Sequence, residues 1–338
     1  MRLDAYTHFL PKGFMDWMDK NAADFADIGK RVRGVPSIYD LDVRRKVVGQ
    51  FPDYQQILSY SMPPLEDMAQ GAELEELCKI VNDGFVDICA KHSDEFPGWV
   101  AQTSLALPDA GVREAERAIK NGALGVQIYT NVQGKPIDRP EYAGFWEAMN
   151  RIGKPVWIHP ARGANHPDYR DEKRSLYEMW WTIGWSYETA AAMLRLVFSK
   201  TLDRNPDLKI IVHHFGAIVP ALEGRLGPGM DQLGARTSDE DYVSLRKSLK
   251  KRILDYFKQD FIADTATFGS KGAMLAGFEF FPVDKVVFAS DCPFDPEKGP
   301  GYIRETIRIL EELDLPKADK EKIYHGNLEK FTGVKLVK

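Results

Sequence analysis

The sequence predicts an α/β protein, a single (β/α)8 TIM barrel spanning residues 1–338. Three observations predict it. Short apolar runs rich in Val, Ile and Phe alternate with longer amphipathic stretches along the chain. Runs such as KIIV and KVVF lack period-2 alternation, as expected of parallel strands buried on both faces. Eight such β/α units fill the 338 residues, and no linker, repeat or low-complexity tract divides them. A doubly wound open sheet is the competing architecture. It would want a glycine-rich phosphate loop after the first strand, where THFLPKGF stands instead.

Taken in order, RLDAY (2–6) is the first strand, QQILSYS (55–61) the second and WVAQTSL (99–105) the third. AGVREAERAIKNG is a helix, because Val112, Ala115, Ala118 and Ile119 recur at helical spacing and Asn121-Gly122 closes it. ALGVQIY (123–129) is the fourth strand. A helix over 140–153 follows, opened by Pro140 and stopped by Gly153. KPVWIHP (154–160), DLKIIVHHFG (207–216), DFIADTA (260–266) and DKVVFASDCPF (284–294) complete the strands. Helices are expected over 189–206, 244–258, 301–313 and 320–333. Two long insertions remain, 9–54 and 161–188. Barrel enzymes carry long loops and catalytic groups at the C-terminal strand ends, so both insertions are expected to cover the active-site face.

Composition excludes several function classes. A formal charge of −5 without a Lys/Arg block argues against a nucleic-acid partner. No apolar run approaches the roughly 20 residues a membrane span needs. Asp4 and His8 interrupt the first apolar run, so a signal peptide is not expected. Cys78, Cys89 and Cys292 lack CxxC spacing and suit a reducing compartment. The expectation is a cytoplasmic protein acting on a small molecule.

The rare residues fall where a barrel gathers its chemistry. His8 lies just past strand 1, His159 ends strand 5, His213 and His214 end strand 6, and Asp291 ends strand 8. Three histidines and an aspartate suit Zn2+ or another divalent first-row metal. His92 and His166 fall in helical or loop sequence and are read as structural. His325 lies near the closing helix.

At this point the chain resembles a known group. DAYTH (Asp4 to His8) stands where the amidohydrolase superfamily opens with DxHxH. PVWIHP (155–160), ETAAAMLRLVFSKTLDRNPDLKII (188–211), HFGAIVP (214–220), SDCPF (290–294) and Gly326-Asn327 follow in family order and spacing. The resemblance is to the branch of aminocarboxymuconate-semialdehyde decarboxylase and related aromatic acid decarboxylases. It implies His8, His159 and Asp291 as ligands of one divalent metal, Zn2+ first, with Mn2+ or Fe2+ as alternatives. It implies Asp291 as the proton shuttle. His214, followed by xG, would orient water or substrate, and His213 would take a supporting or packing role. Arg225 matches an arginine that clamps the substrate carboxylate across a dimer interface, so a homodimer is expected. Trp180, Trp181 and Arg162 are further candidates for substrate contact. Strand 4 offers no lysine to bridge two metals, which favours one ion.

The departure is Tyr6, where the family has His or Glu. Tyr6 binds the metal as phenolate, or leaves the three remaining ligands to hold it with water, or marks a metal-poor site. Three functions stay open accordingly. The first is a metal-dependent decarboxylase of a small aromatic or unsaturated carboxylic acid. The second is a metal-dependent hydrolase or hydratase of the same fold. The third is an accessory subunit in a hetero-oligomer with a related chain, as in some amidohydrolase-like oxygenases, its metal site degraded at Tyr6.

Overall fold

The computed structural model describes residues 1–236 and 239–337. Its strands, in chain order, are β1 (Arg2–His8), β2 (Tyr54–Ser59), β3 (Gly98–Trp99), β4 (Ala101–Gln102), β5 (Val126–Tyr129), β6 (Asn131–Val132), β7 (Lys135–Pro136), β8 (Val156–His159), β9 (Ile210–Val212), β10 (Phe261–Asp264) and β11 (Val286–Val287). β6 and β7 form a small antiparallel hairpin. All other pairs are parallel. They form a three-stranded sheet, β1-β2-β3, and a six-stranded sheet, β11-β10-β9-β8-β5-β4. The described strands thus form two sheets, with no closed ring of pairing between them.

Backbone hydrogen bonds nonetheless cross both seams. Ala5 N donates to Phe288 O and His8 N to Cys292 O, each at 2.8 Å, which ties β1 to the segment after β11. Val100, the residue between β3 and β4, donates its N–H to Leu58 O of β2 at 2.8 Å, and Leu124 N donates to Trp99 O of β3 at 2.9 Å. Leu3, Ile57, Val100, Leu124, Trp157, Ile211, Ile262 and Val287 come from successive parallel segments and pack into one inner core that includes Tyr6. Side chains from successive parallel segments meeting in one cluster is barrel-type packing.

The elements depart from the expected ones in instructive places. The third strand breaks in two at Val100. The eighth shortens to two residues, because Phe288 N turns to Ile323 O instead of a neighbouring strand. The helix expected over 244–258 splits into Tyr242–Lys247 and Ile253–Gln259. Between them the Tyr256 hydroxyl accepts from the backbone N–H of Lys250 and of Lys251. A 21-residue helix, Gly71–Lys91, went unpredicted. It buries Leu74, Leu77, Cys78, Val81 and Phe85, one helical stripe. The 9–54 segment holds helices Lys12–Asn21, Ile28–Arg33 and Leu41–Val48, and 161–188 is mostly irregular before Met179–Thr182. Among the described residues no helix is long and apolar enough to cross a membrane.

Candidate metal centre

Parallel strands place their C-terminal ends together, and that brings the predicted residues together. His8 ends β1, His159 ends β8, His213 and His214 follow β9, Asp264 ends β10 and Asp291 follows β11. Two sets of donor atoms each lie within 4.8 Å of one another: His8, His159 and His213 in one, and His213, His214 and Asp291 in the other. His8, His159, His213 and Asp291 are buried, and His214 is half-buried.

The hydrogen bonds decide which ring nitrogen each histidine offers. His8 Nδ1 faces Tyr60 O at 3.0 Å and His159 Nδ1 faces Pro160 O at 2.7 Å. A carbonyl only accepts, so each Nδ1 carries the proton and each Nε2 keeps its lone pair. His8 Nε2 lies 3.1 Å from Asp291 Oδ1 yet makes no hydrogen bond. His214 follows the same rule. Its Nδ1 faces Ala266 O at 3.1 Å, and its buried Nε2 has no partner. His213 differs: its Nδ1 is 2.5 Å from Asp264 Oδ2 and its Nε2 is 3.3 Å from Asp291 Oδ1.

Charge follows from this geometry. Burial alone would raise the Asp291 carboxyl. The hydrogen bond from His213 and the charge of the imidazoles beside it outweigh burial and hold it well below 3.8. Burial would lower His213, but Asp264 and Asp291 push it up to about 9. Burial, with His8 and His213 adding to it, holds His159 well below 6.5. Burial and then His213 bring His214 down to about 4. Asp291 and His214 adopt left-handed backbone, at φ 63° and 56°, a region where Asp and His are over-represented.

Tyr6 sits under this cluster, at a bulge in β1 between Asp4 and Thr7. Its ring meets His213 and His8 edge-on, with centroids 4.7 and 4.9 Å apart. Its hydroxyl donates to Gln127 Oε1 at 2.7 Å, and Gln127 Nε2 donates to Gln102 Oε1 at 3.0 Å. Burial, then the carboxylates of Asp264 and Asp291, keeps the phenol well above 10.

The predicted substrate contacts fall in different places. Trp180 and Arg162 line a cavity of about 470 Å³ between the two insertions. Arg162 lies 3.2 Å from Glu188 and 3.8 Å from Asp168. Trp181 lines a second cavity of about 320 Å³, together with Trp185, His214, Ala266 and Phe268. Trp185 stands between the two cavities, with its ring 5.5 Å from His159 and 5.6 Å from Trp180. Arg225 is exposed and lines neither cavity.

Three groups went unassigned in the sequence. Asp264 stands at a strand end like the histidines, and that rule would have found it. Asp4 accepts from Tyr54 Oη at 2.6 Å and from Ser290 N at 3.1 Å, which fixes the turn carrying Asp291. Burial pushes its carboxyl up to about 7. Arg31 lies over the rings of Trp181 and Phe294, at 4.6 and 4.9 Å, and no sequence signal marks it.

A barrel-type parallel fold with histidines and an aspartate at its strand ends defines a metal-hydrolase-like class of enzyme. A family profile described as Amidohydrolase matches residues 46–333. The chain belongs to the amidohydrolase family. It is 27% identical over 301 residues to a gamma-resorcylate decarboxylase of Rhodococcus jostii, covering 85% of each chain. It is 24% identical over 351 residues to a 2-amino-3-carboxymuconate-6-semialdehyde decarboxylase of Dictyostelium discoideum, covering 99% of this chain and 92% of that one. Its fold matches a dihydroxybenzoic acid decarboxylase of a Polaromonas species, solved with manganese and 2-nitroresorcinol. There the TM-score is 0.77 at 24% identity, covering 98% of this chain and 96% of the other.

Proposed function

We propose that this chain is a metal-dependent decarboxylase, a carbon–carbon lyase, acting on a small aromatic carboxylic acid. The observation that carries the reading is a buried cluster at the strand ends: the donor atoms of His8, His159 and His213 lie within 4.8 Å of one another, and the Asp291 carboxylate stands 3.1 Å from His8 Nε2 and 3.3 Å from His213 Nε2. The decarboxylase relatives supply the reaction class. The donors fit a divalent cation: His8 Nε2 is buried, holds a lone pair and has no hydrogen bond. His8, His159 and Asp291 would hold the ion, with Zn2+ the first choice and Mn2+ the alternative that the Polaromonas structure suggests. When bound, a divalent cation supplies Lewis-acid polarisation of substrate oxygens.

The chain's own residues do the rest. In Ar–CO2⁻ + H⁺ → Ar–H + CO2 the carbon–carbon bond breaks, its electron pair stays on the ring, and a proton joins that carbon. Asp291, a carboxylate beside His8 and His213, would shuttle that proton, taking it from water or a substrate hydroxyl and passing it to the ring carbon. His214 lines the cavity of about 320 Å³, and its unpartnered Nε2 would orient a substrate oxygen. Trp181, Trp185 and Phe268 would exclude water and stack the ring. Arg225 would complete the pocket of a neighbouring copy.

The same reading takes the chain as one closed barrel in a cytoplasmic homodimer, with 9–54 and 161–188 as its lid. Decarboxylation is tested by CO2 release from hydroxybenzoic acids, before and after chelation and after metal is restored. Release that survives complete chelation refutes it. Co-purification of a second, related chain would favour the accessory-subunit reading.

A further inference from the structure

We infer that His213 is a ligand of the metal and that Tyr6 is not. The inference rests on the metal reading above and deepens it. The donor atom of His213 lies within 4.8 Å of those of His8 and His159, closing a three-histidine face over the barrel mouth. Ring centroids agree: His213 is 5.9 Å from His8 and 5.4 Å from His159. Its ring is fully buried.

The second reason is how His213 is held. Asp264 takes its Nδ1 at 2.5 Å, so Nε2 is the atom turned toward Asp291. A carboxylate on the far nitrogen is how proteins commonly orient a metal-binding imidazole and raise its basicity. His213 has this support, whereas His214 lines the outer cavity. The neighbouring histidines thus divide the work: His213 faces the ion and His214 the substrate. Asp264 is a positioning residue for both, because its other oxygen accepts the His214 backbone N–H at 3.0 Å.

The third reason is Tyr6. Its hydroxyl is committed to Gln127, which is itself held by Gln102. A phenolate would turn that hydroxyl into an acceptor facing the amide oxygen it now donates to. With the Tyr6 hydroxyl held by Gln127, His213, which follows β9, supplies the imidazole that Tyr6 does not.

The test uses full-length protein and three readouts independent of turnover. Co2+ affinity is measured by titration for wild type, Tyr6→Phe, His213→Ala and Asp264→Asn, with circular dichroism confirming the fold of each. Tyr6→Phe is expected to leave affinity within about twofold. Asp264→Asn is expected to weaken it about 10–100-fold, and His213→Ala at least as much. X-ray absorption of the Co2+ wild type is expected to count three imidazoles, which keeps the inference testable should His213→Ala fail to fold. Fe3+-loaded wild type is expected to lack the visible charge-transfer band of a tyrosinate ligand. Equal affinity in wild type and His213→Ala, two imidazoles, or a tyrosinate band lost in Tyr6→Phe would each overturn it. Wild type that takes up no metal would refute the metal reading itself, and the ligand assignment with it.

Discussion

Replacing Glu66 with glutamine should stabilise the protein above neutral pH and much less at pH 5. Glu66 is 3% exposed, and its carboxylate accepts one hydrogen bond from the Ser104 hydroxyl, at 3.1 Å. Burial, first among the causes, raises its carboxyl from 4.5 to about 7. The folded state therefore holds a proton between those values that the unfolded chain has released. Stability falls as pH rises wherever the folded state binds more protons, so wild type loses stability from about pH 4.5 to about 7. Moving the carboxyl from 4.5 to about 7 corresponds to about 3 kcal/mol. Glutamine stays neutral and keeps an acceptor for Ser104. Asp4, whose carboxyl is also raised, is present in both proteins and cancels in the comparison. The assay is urea unfolding of wild type and Glu66→Gln at pH 5, 6, 7 and 8. The difference should grow from about 1 kcal/mol at pH 5 to about 3 kcal/mol at pH 8. A difference that stays constant across the range would show that Glu66 is ionised and compensated in the fold, against this reasoning.

Other outcomes follow from the same contacts. Gly277→Ala would bring its Cβ within 2.3–2.6 Å of three ring atoms of Phe215, the residue after His214. It should cost about 1–3 kcal/mol of stability and lower kcat, read by urea unfolding and steady-state kinetics. Gln127→Leu strands the Tyr6 hydroxyl in the interior and should cost about 1–3 kcal/mol, with the Tyr6→Phe/Gln127→Leu double variant recovering part of it. Arg31→Ala removes a guanidinium held between Trp181 and Phe294 at the edge of the site. It should raise KM for a carboxylate substrate about 10–100-fold and change kcat less, since charged hydrogen bonds contribute about 1.5–3 kcal/mol.

The fold was legible where pattern and burial coincide. The runs at 154–160, 207–216 and 260–266 became Val156–His159, Ile210–Val212 and Phe261–Asp264, because each is buried on both faces. The helix Gly71–Lys91 was missed although its stripe is regular. Strand-end position located His8, His159, His213, His214 and Asp291, since that rule needs only the end of an apolar run. Orientation beyond the strand end was not legible. His214 takes a left-handed backbone, so the alternation that separates neighbours within a strand no longer says which histidine faces inward. Tyr6 was opaque for a related reason. A bulge interrupts β1 at this residue, and its partner Gln127 lies 121 residues away.

One contact at the rim reaches further than its energy suggests. Arg31 belongs to the first insertion and Trp181 to the second, and Asp27 and Arg174 pair across the same divide at 3.4 Å. Two stretches separated by more than a hundred residues thus share one seam. A substitution on either side alters the fit of the other, so the two loops act as a matched pair. Transplanting one of them into a relative to change its substrate would fail unless its counterpart travelled with it.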